Sequence, residues 1–537
     1  MSTRASGGTA LVLLTLATGQ FLMALDSSVM NVAIATVAAD VGTTVSGIQT
    51  AITLYTLVMA ALMIPGGKVG ALIGHRRAFS LGCVIYAAGS LTTSLAPNYP
   101  TLLFGWSFLE GLGAALILPA IVALVASNFA PERRPAAYGL IAAAAAIAIA
   151  VGPLIGGLAT TYFSWRWVFA GEVVLVLGIL ILGRRIADVP PVARKRIDLV
   201  GAVLCASGLA LFVFGVLRSG EWGFLEPKAG APTWFGISPV LWLVCAGALL
   251  VWLFLRWEAR VEDRGGEPLV RPAMLRNRQL TGGLTMFFFQ YAVQAGVFFV
   301  TPLYLSVALG LSALDTGVRL VPLSVTLLLA AVGIPRLLPR VSPRLVVRAG
   351  LLAMLAGTLV LIGGLDADSG PEIVLVPMLL LGLGMGALAS QLGAVTVSAV
   401  PTEQSAEVGG VQNTVTNLGA SIGTALAGSL LIAALSSAFL TNIAASPAVP
   451  ESVKSSAEVQ LAGGIPFVSD ADMQAALDEA GLSSSATRAA LDANAEARIT
   501  GLRAGLAILA LLALVALFLS GRIPRAPPGE ALVPRAA

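Results

Sequence analysis

The sequence predicts an all-α polytopic membrane protein, with two six-helix bundles and two further helices inserted between them, fourteen transmembrane helices in all. Three observations predict it. Hydrophobic residues make up 57% of the 537 residues and charged ones only 11%, and the mean hydropathy is +0.90, a balance foreign to water-soluble globules. Apolar stretches of about 20 residues, the length that crosses a bilayer as a helix, recur from end to end. Lys and Arg divide unevenly among the joining loops: with both termini placed on one side, 24 of the 32 fall on that side and 8 on the other, the bias of a cytoplasmic face.

In order, the apolar stretches are residues 9–37, 47–69, 78–96, 102–125, 136–160, 165–186, 199–216, 240–257, 280–309, 317–338, 345–365, 373–400, 408–440 and 502–519. They group into a first bundle (1–187), an insertion of two spans with its linkers (188–278), a second bundle (279–521) carrying an outer loop (441–500), and a cytoplasmic tail (522–537). The first stretch is too long for a cleavable signal peptide and runs into Asp26 and Asn31. The net charge of +4 does not point to nucleic acid, because the basic residues lie where anionic inner-leaflet lipid would be. Cys83, Cys205 and Cys245 sit in spans without metal-ligand spacing and read as packing residues.

The first span, LMALDSSVMNVAIATV, is interrupted by Asp26, Ser27, Ser28 and Asn31, a cluster that should face protein or a water-filled cavity. The second ends in PGGKVGALIGHRRAF, where Gly66, Gly67, Gly70 and Gly74 permit a tight turn and Arg76 and Arg77 hold it at the inner face; His75, the sole histidine, reads as solvated. Near the middle of the fourth span stands Glu110. A charge at that depth costs about 2.5 to 3.5 kcal/mol on insertion scales and is seldom kept without a partner or a task. Gly105, Gly111 and Gly113 leave room for a neighbouring helix to come close to it, and Pro119 weakens the backbone ladder about two turns later.

These residues carry a resemblance. The inner loop is similar to that of the major facilitator superfamily at Gly67, Val69, Gly74, Arg76 and Arg77, although Ala71 and Leu72 stand where the family has an acid and often an Arg. A fainter second copy, GIPRLLPRVSPRLVVR, contains Gly333, Arg336, Arg340, Arg344 and Arg348, as expected of an internally duplicated transporter. The fourth span resembles the family's R-x-x-Q-G-x-G-A-A motif at Gly111, Gly113, Ala114 and Ala115, with Glu110 in the Gln position and Ser107 in the Arg position. AVGPLIGG in the fifth span, with Gly152, Pro153, Gly156 and Gly157, resembles the motif of the superfamily's antiporters and implies a kinkable, smooth helix at which the two halves close. SWRWVFAGEV resembles the start of the sixth span in drug:proton antiporters; Trp165 and Trp167 suit the outer interfacial belt, and Glu172, one turn in, reads as an interfacial acid.

Two extra spans between six-span halves is the arrangement of the fourteen-spanner drug:proton antiporters, which this chain resembles over nearly its whole length. In the second half, Gln290, Tyr291 and Gln294 among phenylalanines, and Gln412 and Asn413 in the thirteenth span, are candidate substrate contacts beside Asp26 and Glu110. Within the outer loop, SDADMQAALDEAG and SATRAALDANAEAR read as two short helices.

The resemblance implies proton-driven multidrug efflux by alternating access from the bacterial inner membrane. Asp26, Glu110 and Glu172 would be the proton-coupling acids, Asp26 and Glu110 meeting because the family's first and fourth helices both line one cavity. The expected partners are lipophilic, cationic small molecules, protons and membrane lipid; the protein would act as a monomer with no cofactor or metal beyond the proton motive force. Export of a lipid or lipid-linked metabolite is the alternative. An enzyme is not expected, because no nucleophile and base, metal cluster or aspartate-rich diphosphate motif is present.

Overall fold

The computed structural model describes residues 3–43, 45–187, 198–228, 230–366, 368–401, 404–447, 449, 470–479 and 484–525. Its long helices are α1 (Thr3–Asp40), α2 (Val45–Ile73), α3 (His75–Ser94), α4 (Tyr99–Asn128), α5 (Arg134–Tyr162), α6 (Arg166–Gly183), α7 (Leu199–Trp222) and α8 (Pro239–Asp263). After them come α9 (Arg278–Ala308), α10 (Ala313–Leu337), α11 (Pro343–Gly364), α12 (Leu375–Val397), α13 (Ser405–Ala445) and α14 (Ser484–Leu519). Thirteen of these, all but α3, are long and apolar enough to cross a membrane. The exception, α3, is a helix of 20 residues whose polar side chains lower its hydropathy. Several starts follow from caps: Asn98, Asp198, Asn277, Ser312 and Ser342 each accept a hydrogen bond from a backbone N–H two or three residues on, ahead of α4, α7, α9, α10 and α11.

The two halves repeat one set of pairings. In the first, α1 packs on α5, α2 on α4, α3 on α4 and α6, and α1 on α6. In the second, α9 packs on α13, α10 on α12, α11 on α12 and α14, and α9 on α14. The seams between halves obey the same two-fold relation, α2 against α13 and α5 against α10. The basic loops are part of the repeat. Arg76, the second residue of α3, donates to the carbonyls of Arg184 and Ile186 past the end of α6, 3.3 Å each. Arg344, the second residue of α11, donates to those of Gly521 and Ile523 past the end of α14, 2.7 Å each.

The end of the bundle that carries these arginines, here the basic end, is where the halves meet closely. A Cβ on Gly67 of α2 would lie 2.7 Å from Ala406 O of α13, and one on Gly410 of α13 would lie 3.0 Å from Met63 O of α2. Gly74, with φ +98°, makes the turn into α3 in a conformation that favours glycine. Gly152 and Gly156 lie elsewhere, against Ser28 and Val29 of α1 in their own half. Of Gly157 and Pro153, both lie in α5, and Arg77 is exposed in the first turn of α3.

Several expectations are corrected. The second short outer helix does not exist: its residues are the first turns of α14, which runs unbroken for 36 residues, because an Ala-rich segment with no breaker continues any helix it joins. The first outer helix is present as Asp470–Glu479, while Ser469 and Gly481, read as its ends, lie outside the described residues. His75 is buried, 6% exposed, since the turn folds it back beside Gly70. Cys83 and Cys205 are buried but Cys245 is exposed. Trp167 is exposed as an interfacial residue would be, whereas Trp165 is buried and donates to Asp40 Oδ2 at 2.8 Å. Burial alone would raise the Asp40 carboxyl, but that bond and the Arg166 ion pair outweigh it and hold Asp40 below its usual value.

Helix contact in the second half depends on Gly423, where a Cβ would run into the Ala292 carbonyl oxygen of α9; at Gly428 it would meet only the Phe299 ring, at 3.3 Å. Gly423→Ala should therefore destabilise the protein by about 1 to 3 kcal/mol through overpacking, and Gly428→Ala by much less. Melting curves in one detergent compare them, and equal losses would mean that α9 and α13 are free to separate.

Candidate functional site

Asp26 of α1, Glu110 of α4 and Glu172 of α6 converge. One carboxylate oxygen of each lies within 4.8 Å of the others, and the three residues are 0%, 0% and 1% exposed. Glu172 is thus a buried member of the site and not an interfacial acid. Six residues into α6, nearly two helical turns, is deep enough here because α3 and α1 pack on that helix.

Each carboxylate is held by neutral donors. Trp106 Nε1 donates to Asp26 Oδ1 at 2.7 Å, and the indole stacks on Tyr55 of α2 with ring centroids 5.2 Å apart and planes 3° from parallel. Thr93 Oγ1 shares its one proton between Gly89 O, at 2.9 Å on its own helix, and Glu110 Oε1, at 3.1 Å. Tyr86 Oη and Ser90 Oγ donate to Glu172 Oε2 at 3.2 and 3.1 Å. The second oxygens, Asp26 Oδ2, Glu110 Oε2 and Glu172 Oε1, accept no hydrogen bond. Among the described residues no Lys, Arg or His is a partner of these carboxylates, so none there balances the trio's charge. Its donor set is all oxygen, which suits protons and can also hold a hard metal ion.

Local sequence explains the convergence. Tyr86, Ser90 and Thr93 follow one another at helical spacing, one face of α3. Gly89 lets that face reach α4, since a Cβ there would lie 2.6 Å from Glu110 Cγ and 2.7 Å from Gly105 O. Gly111 and Gly113 do the same towards Val58 of α2 and Tyr86 of α3. Residues Leu103–Glu110 form a π-helical segment, a wider turn common at functional sites, and it ends on the acid. Ser107 in that segment donates to Ala51 O of α2 at 2.9 Å, and Ser28 of α1 to Ile149 O of α5 at 3.0 Å.

The remaining candidates are not joined to the trio, whose partners all come from the first half. Gln290 on α9 is 3% exposed, and its Oε1 has no hydrogen-bond partner. Tyr291 packs by Phe287, ring centroids 6.4 Å apart, and Gln294 is half-buried one turn on. Gln412 Oε1 accepts from Thr396 Oγ1 of α12 at 3.1 Å, and Asn413 Nδ2 donates to Gly409 O at 2.9 Å. A cavity of about 630 Å³ lies apart from all of these, between α7 and α13, lined by Phe212, Val216, Phe224, Leu426, Ala433 and Leu440. The sequence reading missed the donors Tyr86, Ser90, Thr93 and Trp106. Their signal was a third span too polar for its length, and a Trp in mid-span instead of at an interface.

The profile described as Major Facilitator Superfamily matches residues 16–424. The chain belongs to that superfamily. It is therefore a multi-pass membrane transporter and not an enzyme. It is 30% identical to the probable actinorhodin transporter of Streptomyces coelicolor over 77% of this chain and 71% of that one. It is 30% identical to the tetracenomycin C resistance and export protein of Streptomyces glaucescens over 80% and 77%. To the multidrug resistance protein Stp of Mycobacterium tuberculosis it is 28% identical over 83% and 79%. Among solved structures it is similar to the human organic anion transporter MFSD10, TM-score 0.57 and 13% identity over 96% of this chain and 98% of that one, a likeness of fold alone.

The Trp106 to Asp26 bond can be isolated from packing. Trp106→Phe keeps a ring on Tyr55 and removes the donor, which should cost about 1.5 to 3 kcal/mol if Asp26 is charged, and less in an Asp26→Asn background. Thermal melts of the two singles and the double make the cycle. Equal losses in both backgrounds would show that Trp106 only fills space.

Proposed function

We propose that this transporter exports lipophilic compounds of the antibiotic class, cations above all, in exchange for protons, and that the Asp26, Glu110 and Glu172 trio carries the proton. The names of the relatives support the substrate class. The observation that carries the coupling is the trio. At 4.8 Å and an effective dielectric constant of 20, each pair of ionised carboxylates repels by about 3.5 kcal/mol. Three anions without a fixed cation are stable together only when protons or a cation neutralise part of the charge, so the three titrate as one unit.

The Lys and Arg bias supports an orientation with the basic end and both termini towards the cytoplasm, and the bacterial relatives support the inner membrane as its setting. Glu172 lies six residues into α6 from the opposite end, about 9 Å along the helix axis, which makes the outer route to the trio the short one. A proton taken up from outside removes a negative charge; substrate leaves; release of the proton inward restores the charge and the affinity for the next cation. Membrane potential adds about 2.3 kcal/mol per elementary charge per 100 mV to such a cycle. The cycle needs no cofactor and one copy of the chain. A lipid cargo has no support among the relatives.

Glu110→Gln should fold and insert normally yet reduce substrate-dependent proton flux in proteoliposomes at least tenfold, because the amide keeps the volume and cannot titrate. Undiminished flux would remove Glu110 from the mechanism. Asp26→Asn should depress export of a lipophilic cation far more than that of a neutral compound, measured at equal protein levels. Parallel losses would leave Asp26 with a structural part only.

A further inference from the structure

The insertion reaches the seam between the halves through its first helix: α7 packs against both α2 and α13. The linker that follows α8 is built into the protein. Leu269 and Val270 are 0% and 2% exposed and belong to the same apolar cluster as Ile64 of α2, Phe254 of α8 and Val408 of α13. Beside them, Lys68 of α2 is 2% exposed. Its Nζ donates to Pro268 O of the linker at 2.6 Å and lies 3.5 Å from Glu407 Oε1 of α13 and 3.8 Å from Glu267 Oε2 of the linker. An ion pair therefore crosses the seam at the basic end, next to the close contact at Gly67, in the loop where Ala71 replaces the acid of the resembling motif.

The linker is in turn fastened to the insertion by a buried acid. Glu258 of α8 is 0% exposed, and its Oε2 accepts the Leu269 N–H at 2.6 Å. The neighbouring Trp257 Nε1 donates to Asp198 Oδ2 at 2.6 Å, and Asp198 caps α7 by accepting from Gly201 N at 3.0 Å. One path of short polar contacts thus runs from the insertion through residues 267–269 to Lys68 and across to Glu407.

We infer that the insertion is a clamp on the inner gate, and that Glu258 is a positioning residue: it holds the linker where Pro268 O and Glu267 keep Lys68 on Glu407, so that the closed basic end depends on the insertion. A buried Lys needs its full set of partners, because an uncompensated charge in a low-dielectric site is costly. Loosening the linker withdraws two of the three partners and leaves the Lys68 and Glu407 pair to hold the seam alone. The inference rests on the alternating-access reading, in which that end must open.

The test measures opening directly. Spin labels at Arg77 and Arg340, exposed positions at the basic end of opposite halves, report its width in the full-length protein in nanodiscs, after Cys83, Cys205 and Cys245 are replaced by Ala. Lys68→Met should raise the open fraction at least tenfold, and Glu258→Leu at least threefold. Glu258→Gln, which keeps an acceptor for Leu269 N–H, should restore the wild-type distance distribution. In the double variant Lys68→Met with Glu258→Leu, the second change should add nothing. Glu267→Ala, at a partly exposed site, should open the end to an intermediate extent and serves if Glu258→Leu does not fold. An acid with only a structural part would lower the melting temperature without moving the distances. That result, or an opening by Glu258→Leu that persists undiminished without Lys68, overturns the clamp while leaving alternating access intact; no opening in any variant overturns the clamp together with the gate.

Discussion

Three carboxylates packed within the apolar first half are the constraint on which its construction depends. Acids at that depth must be given hydrogen-bond donors, since the lipid and the aliphatic core offer none. The donors come from α3 and from Trp106, and each has a structural consequence. Because Tyr86, Ser90 and Thr93 occupy one face of α3, that helix is less apolar than the thirteen other long helices. Because the Thr93 side chain is short, α3 must approach Glu110 of α4 closely, and Gly89 and Gly105 clear the space. Because Asp26 is reached by an indole, Trp106 sits in mid-helix, and Tyr55 of α2 closes over it. The site fixes the contacts of five of the six helices in its half.

The second half repeats the helix pairings without repeating the chemistry. Its seam partners and its arginine at the start of α11 are two-fold mates of those in the first half. Its buried spans hold amides and hydroxyls, Gln290, Gln391, Gln412 and Thr396 among them. The clustered acids are thus confined to the first half, while the buried acid Glu407 of the second half stands at the seam beside Lys68.

Asp26 and Glu110 were legible because an acid inside a long apolar stretch is conspicuous at any register. Glu172 was legible as a residue and misplaced in depth, since counting from the interface measures distance along one helix and says nothing of what neighbouring helices cover. The donors were not legible one at a time. Ser and Thr in membrane helices commonly bond their own backbone, as Thr15 and Thr18 do here and as Thr93 itself also does to Gly89 O, so only the register of three polar groups on one face of α3 marks them as donors to the acids. The fold was readable from hydropathy and loop charge, whereas the end of the outer loop was not: an Ala-rich segment reads as a free helix until the span it continues is seen.

The path of α4 joins the two ends of the molecule. Its π-helical segment ends at Glu110, among the trio, and nine residues on, about 13.5 Å at helical rise, Pro119 meets α13 at the seam: a Cβ on Gly409 would lie 3.0 Å from Pro119 O. A π-helical turn and a proline are the two features along a helix that allow local change of register or bend while the rest stays rigid. Here they bracket one rigid stretch, with the acid at one end and the inter-half contact at the other. The same helix that bears the acid is therefore in contact with the seam that Lys68 and Glu407 cross, so the carboxylate trio and the basic end of the seam share one structural element.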